Sequence, residues 1–450
     1  VSLALPNRAD LEALIRLALP VIVVQVGLML MGVVDVIVVG HLSAEALAAV
    51  ALGNLYVLSL SALGIGVLLA LDPLVAQAAG ARDQVAVVRA LQRGLVLAAL
   101  LSVPTSLVLV PGEVVLRWLQ QPAEIVPLAA GYARCRIPGV LAYFLFVALR
   151  QTLQAMESMR SIVVATAIAN IINAVLDVIL VFGVAGFPAL GAIGSAWATT
   201  ASRWMLVLLL IAFARRELTP LLARLDPATL ELEPLLRVLR LGLPIGLQLQ
   251  LELAAFGVIA LFMGFMGAVE MAAHQVAINL ASLSFMVPLG VSGATAVRVG
   301  QAVGATETGA ARRAASAGLL CGAGFMAVCA LAFLSFPGTF AGIYTSSAEV
   351  RTLAATLIPI AGFFQIADGL QIVSTGVLRG LGDTRAPMLV NVVGFWLVGM
   401  PVSLVLAFAL RRGPTGLWWG LVAGLTAVAV FLLLRVALRL AHPTVRVCVE

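Results

Sequence analysis

The chain has no lysine: all 27 of its basic residues are arginines. Charge of either sign is scarce, 11% of 450 residues, against about 25% in a soluble domain. With 62% hydrophobic residues and a mean hydropathy of +1.12, this excludes an ordinary soluble fold. The composition is that of a polytopic membrane protein, for which counting domains from length does not apply. Histidine (three) and cysteine (four) are rare as well. There is no CxxC pair and no His/Cys/Asp cluster at metal-ligand spacing, so disulfide and zinc roles have no support. Cys135, Cys321 and Cys329 read as small buried hydrophobes; Cys448 lies near the end. His274, four residues after Glu270, reads as a surface or capping histidine, His41 as a loop residue, and His442 lies near the C-terminus. Also missing are GxGxxG, a P-loop, a nucleophile elbow and the DDxxD-like acids of a prenyltransferase. The chain carries no signature of an enzyme and cannot by itself be an ATP-driven pump. Its net charge of +6 comes from arginines spread over short loops, which is no nucleic-acid footprint. The first residues lack a basic segment, short apolar core and cleavage site, so no cleaved signal peptide is expected and the first helix serves as the insertion signal.

What is abundant is apolar sequence in long runs. A bilayer-spanning helix needs about 20 such residues. Runs of that length predict helices near 13–38, 47–71, 90–110, 125–150, 162–183 and 191–214, and again near 241–266, 272–297, 314–337, 350–376, 386–410 and 416–440. Prolines inside them (Pro20, Pro104, Pro138, Pro244, Pro288, Pro359, Pro401) are tolerated in membrane helices and mark kinks or close packing. The most charged stretch, 215–240, separates the two sets. Placing the N-terminus in the cytoplasm puts Arg82, Arg89, Arg93, Arg160, the 215–240 cluster, Arg298, Arg312, Arg313, Arg379, Arg385, Arg435, Arg439 and Arg446 inside. Only Arg117, Arg351, Arg411 and Arg412 are clear exceptions. That bias predicts N-in and C-in.

The chain also repeats. LALP at 17–20 returns as LGLP at 241–244, and Glu45 and Asn54 return as Glu270 and Asn279. AQAAGA at 76–81 returns as GQAVGA at 300–305, LQAMESMR resembles LRGLGDTR, and Gly191 matches Gly416, always at an offset of 224–225 residues. Six helices per half is an even number, so both halves insert the same way round and the repeat is parallel. The expected fold is an all-α integral membrane protein with twelve helices in two six-helix lobes, 1–214 and 241–450, joined by a cytoplasmic linker at 215–240.

Four acids fall well inside predicted helices: Asp35, Asp177, Glu252 and Asp368. An acid at the centre of a membrane helix costs about 2.5–3.5 kcal/mol, and such groups mark ion or substrate pathways. Asp35, in MGVVDVIVVG, has no arginine near it in sequence and is a plausible proton carrier. Asp177 shares a helix face with Asn173, one turn earlier, and Ser195 of the next helix adds a hydroxyl. Carboxylates with amide carbonyls suit a hard cation or a proton relay. Asp368 has Gln365 and Gln371 three residues to either side and is the natural partner of Glu252. Two carboxyls in one low-dielectric site cannot both be charged cheaply, so such a pair couples proton binding to shape.

With VSGATAVRVGQAVGAT at 291–306, MGVVDVIVVGHL at 31–42 and GVLRGLGDTRAPM at 376–388, the chain resembles the multidrug and toxic compound extrusion (MATE) family over essentially its whole length. The acid pair Glu252 and Asp368 looks like the NorM-like branch. The resemblance implies two six-helix lobes, a central cavity open alternately to each side, and export of organic cations or drugs in exchange for H⁺ or Na⁺. It implies a monomer in the bacterial inner membrane, surrounded by lipid and needing no cofactor beyond the coupling ion. Asp35, Asn173 and Asp177 match the family's N-lobe cation site, with Ser195 where a threonine is common. Glu252 and Asp368 match the C-lobe acids, so that Na⁺ is a candidate ligand of either set. In sodium-coupled members a tyrosine can stand one turn before that aspartate; here the position is Phe364, which has no hydroxyl and tilts the reading to H⁺. A flippase for lipid-linked glycans is the alternative, but it needs a cationic cleft, and the intramembrane arginines are few (Arg134, Arg136, Arg203).

Overall fold

A lipid-facing segment must hydrogen-bond its own backbone, and an α-helix does so without a partner. The computed structural model describes residues 4–184, 186–223, 226–442 and 445–447. Among them are twelve helices long and apolar enough to cross a membrane, and no strand. They are α1 (Arg8–Gly40), α2 (Ala44–Gly80), α3 (Gln84–Leu109), α4 (Ile137–Ala155), α5 (Met159–Phe182) and α6 (Ala192–Phe213), followed by α7 (Leu232–Met266), α8 (Ala268–Gly304), α9 (Thr308–Ser335), α10 (Ala348–Gly380), α11 (Arg385–Ala409) and α12 (Gly413–Ala441). The all-helical, twelve-span expectation holds.

The repeat is visible in the backbone. Arg82 and Thr306, 224 residues apart, both take positive φ (57° and 61°). Glu157 and Gly382, 225 apart, do the same (60° and 75°). Each sits just past the end of a long helix, where a left-handed residue closes the last turn.

Contacts divide the chain into two units. One gathers the residues up to Ile22, Gly80–Arg82 and Leu247–Val447; the other gathers Val23–Ala79 and Asp83–Gly246. Both α1 and α7 change units shortly after an internal proline, Pro20 and Pro244. Within the first unit α8 and α10 pack through small residues. A Cβ on Gly380 would come within 2.6 Å of the Ala296 carbonyl, and one on Gly376 would collide with the Ser292 carbonyl. Ser292 Oγ donates to the Ile372 carbonyl at 2.6 Å. This close approach of small-xxx-small faces is a membrane-helix solution, and it fixes the register of α10, which carries Asp368.

Several local expectations change. The segment near 125–150 is not one helix: a short helix Val126–Cys135 precedes α4, and Pro138 lies in the first turn of α4. A proline there forfeits only an N–H that has no helical partner, so Pro138 starts a helix where a kink was expected. In the 215–240 stretch the structure has a short helix Arg215–Leu222, a 3₁₀ turn Pro227–Leu230 and the first turns of α7. That stretch is tied to α3: Arg89 Nε donates to Asp226 Oδ2 at 2.7 Å, and Thr229 Oγ1 donates to Gln92 Oε1 at 2.9 Å. The Arg89 hydrogen bond holds the Asp226 carboxyl below the usual aspartate value. Cys135, Cys321 and Cys329 are half-buried, not buried; Cys448 lies outside the described residues. His274 is no surface group. It is buried, edge-on to the Trp418 ring at 5.6 Å, because α12 covers that face of α8. Arg134, expected at membrane depth, is half-exposed on the short helix and pairs with Glu113 at 3.3 Å.

Candidate functional site

Each unit carries its own polar cluster. In the unit built from Val23–Ala79 and Asp83–Gly246, α1 brings Asp35, α5 brings Asn173 and Asp177, and α6 brings Ser195, all buried. The Asp177 carboxyl lies within interaction range of both Asp35 and Ser195, and Asn173 sits one turn before it. Thr199, one turn beyond Ser195, donates through Oγ1 to Asp35 Oδ2 at 2.8 Å, with the Ser195 carbonyl 3.0 Å from the same hydroxyl. Buried polar atoms are nearly always hydrogen-bonded, and here most are not. Asp35 Oδ1, both Asp177 carboxylate oxygens, Asn173 Oδ1 and Nδ2, and Ser195 Oγ have no partner. Five unpartnered oxygens from two carboxylates, an amide and a hydroxyl are the donor set of a hard cation or of a shared proton. Sequence reasoning missed Thr199. The signal was its place four residues after Ser195, on the same helix face.

In the other unit, α7, α8 and α10 line a half-open cavity of about 330 Å³. Its wall is apolar and aromatic, including Phe256, Phe285, Phe364 and Leu289, and its charged groups are Glu252 and Asp368. The two carboxyls interact electrostatically. Glu252 is held from two sides: Gln371 Nε2 donates to Oε1 at 3.2 Å, and Asn391 Nδ2 donates to Oε2 at 3.2 Å. Asp368 faces the cavity with no hydrogen-bond partner among the described residues. Gln365, expected to flank Asp368, turns to α8 and donates to Ser284 Oγ at 2.7 Å. Phe364 stacks on Trp418 at 5.6 Å between ring centres. Asn391 was not singled out from the sequence, although it is a lone amide in an apolar run. Directly after it, Val392–Gly399 is wound as a π-helix, a distortion that re-aims side chains and recurs at functional sites.

The MatE family model matches the chain twice, over residues 20–179 and 244–405. The chain belongs to the MatE family. The two matches begin 224 residues apart, the offset of the internal repeat. The MatE chain is 36% identical over 430 residues to a protein of Rhizobium meliloti (strain 1021) named "Probable multidrug resistance protein NorM", covering 94% of this chain and 92% of that one. The eukaryotic MATE transporter AtDTX14 has a similar crystal structure, with a TM-score of 0.88, 24% identity and 96% of each chain covered. An outward-facing structure of a MATE family transporter of the MOP superfamily matches at a TM-score of 0.87, with 19% identity and the same coverage. With twelve spans and this family, the protein is a multi-pass membrane protein.

Proposed function

We propose that this MatE-family chain is a secondary active multidrug efflux antiporter, exporting organic cations and drugs in exchange for H⁺ or Na⁺ by alternating access. The observation that carries the reading is the cavity with an apolar wall and two acids, Glu252 and Asp368. An apolar wall takes a drug-sized hydrophobic body without a specific motif, and the acids select for positive charge. The cluster of Asp35, Asn173, Asp177 and Ser195, with its unpartnered oxygens, suits the coupling cation. The 36% identical NorM relative supports the drug class. A pyrophosphate-bearing lipid asks for cationic groups, and no arginine lines this cavity, which argues against a flippase.

In the proposed cycle the outward-open protein takes up the cation on its acids, and the bound cation weakens drug binding so that the drug leaves. The inward-open protein then releases the cation and takes up a new drug. A ligand shifts such a balance only by its difference in affinity for the two states. The membrane potential contributes about 2.3 kcal/mol per charge per 100 mV. The setting we propose is the bacterial inner membrane, with both termini in the cytoplasm, lobes at 1–214 and 241–450, and a monomer as the working unit. Asp35→Asn and Glu252→Gln should each abolish ion-coupled efflux of a fluorescent organic cation from proteoliposomes while the protein stays folded. Full activity in both variants would sink the proposal.

A further inference from the structure

Beside the Asp35–Asp177 cluster lie two arginines that the antiport cycle has not used, Arg136 buried and Arg203 half-buried. Arg203 sits over the Tyr143 ring, 4.4 Å from its centre. Arg136 sits over the Tyr132 ring at 5.5 Å and donates through NH1 to the Tyr132 hydroxyl at 2.6 Å. Neither guanidinium is saturated: Arg203 NH1 and Arg136 Nε are buried and without a partner. In the neighbouring cluster, Asp35 Oδ1 and both Asp177 oxygens are equally without partners. Two cations and two acids thus share one interior with unsatisfied atoms on both sides. They already act on each other, Asp35 on Arg203 and Arg136 on Asp177. The titratable and charged groups facing this interior are Asp35 from α1, Tyr132 and Arg136 from the short helix and its junction with α4, Tyr143 from α4, Asp177 from α5 and Arg203 from α6.

We infer that Arg203 and Arg136 are internal countercharges, guanidiniums parked on tyrosine rings that turn onto Asp35 and Asp177 when the coupling cation leaves. The reach is there. Arg203 follows by one turn Thr199, which bonds Asp35, and helix side chains lean toward the N-terminal turn. Gly139 packs beside the Arg203 stem: a Cβ there would stand 3.4 Å from Arg203 Cδ. The charge count requires such a device. Emptied of its cation, the acid pair alone would be an uncompensated double negative charge in a low-dielectric interior, which is strongly unfavourable. With both arginines engaged the quartet is neutral. When a cation occupies the acids, the guanidiniums are left in excess, and the tyrosine faces hold them by cation–π attraction. The arginines therefore assist release, the step that an isolated acid pair would resist.

This inference rests on the antiport reading, and its test separates the two. Arg203→Gln, Arg136→Gln and the charge-conserving Arg203→Lys are reconstituted, and efflux is measured against the concentration of the coupling ion, H⁺ or Na⁺. In each Gln variant the half-saturating concentration should fall about tenfold, the scale of a site-to-site coupling, with a lower maximal rate; Arg203→Lys should restore part of both. The second readout needs no transport. In detergent, at low coupling-ion concentration, Arg203→Gln should lower the melting temperature of the wild type but not that of Asp35→Asn, where Arg136 alone balances the one remaining acid, Asp177. Unchanged half-saturation, or an equal loss of stability in both backgrounds, overturns the countercharge role. A wild type that moves no organic cation under either gradient overturns the antiport reading, while the melting comparison still decides the arginines. Should Arg203→Gln alone fail to fold, the double variant with Asp35→Asn should fold; if it does not, the countercharge role is again overturned.

Discussion

Glu252 is held by two amides, and removing one of them has a calculable consequence. In Asn391→Leu the donor at 3.2 Å from Glu252 Oε2 disappears, while a side chain of similar size fills the space. A hydrogen bond to a charged group contributes about 1.5–3 kcal/mol. The 3.2 Å length is at the long end of the N–H···O range, which places this one near the lower figure. At about 1.4 kcal/mol per decade, the ionised, cation-free form of Glu252 loses roughly tenfold in population relative to the occupied form. The half-saturating concentration of the coupling ion should therefore fall about tenfold, with the maximal rate falling as release slows. The assay is efflux of a fluorescent organic cation from proteoliposomes at a series of coupling-ion concentrations. Gln371→Leu, which removes the other 3.2 Å donor, should move the curve the same way. A folded Asn391→Leu protein with an unchanged or raised half-saturating concentration would refute the reasoning, because the amide would then be packing only.

Three further outcomes are expected. Gly376→Leu drives a side chain into the Ser292 carbonyl; overpacking of this kind costs about 1–3 kcal/mol, read as a lower melting temperature in detergent, and Leu320→Ala on the exposed face of α9 is the control that should change little. Arg89 holds the Asp226 carboxyl low, so this contact contributes above the ordinary aspartate value of about 3.9 and is lost as pH falls through the lower folded-state value. Proteolysis of the 226–231 segment should accordingly speed up below about pH 4 in the wild type, and should be fast at every pH in Asp226→Asn. Losing Glu252 should not be equivalent to losing Asp35, because the repeat places no acid at the partner position of either; identical defects in drug binding and ion dependence for Glu252→Gln and Asp35→Asn would argue for a single shared site.

The twelve helices and the repeat were legible in the sequence because both depend on hydrophobic runs and punctuation that a bilayer enforces. The repeat even appears in the backbone at Arg82 and Thr306, neither a residue type that advertises a left-handed turn. The acids were legible for the opposite reason, since Asp35, Asp177, Glu252 and Asp368 stand out against apolar neighbours. What surrounds them was not. Thr199 and Asn391 reach their carboxylates across helices, and a threonine or one amide in a membrane helix reads equally well as packing. His274 was misread because its burial comes from Trp418, more than a hundred residues away. Arg203 and Arg136 read from the sequence only as too few to bind a pyrophosphate; Arg203 meets Tyr143 across two helices, a contact the apolar pattern does not mark, and Arg136 lies over the Tyr132 ring.

The central claim is exchange of an organic cation for H⁺ or Na⁺, and it is tested most directly with the wild-type protein in proteoliposomes loaded with a fluorescent organic cation. The H⁺ and Na⁺ gradients are imposed separately, each inward, with the membrane potential clamped. The account predicts that at least one gradient drives dye out against its own concentration gradient, and that collapsing that gradient stops the flux. Dye movement that ignores both gradients, or never exceeds passive equilibration, would contradict it.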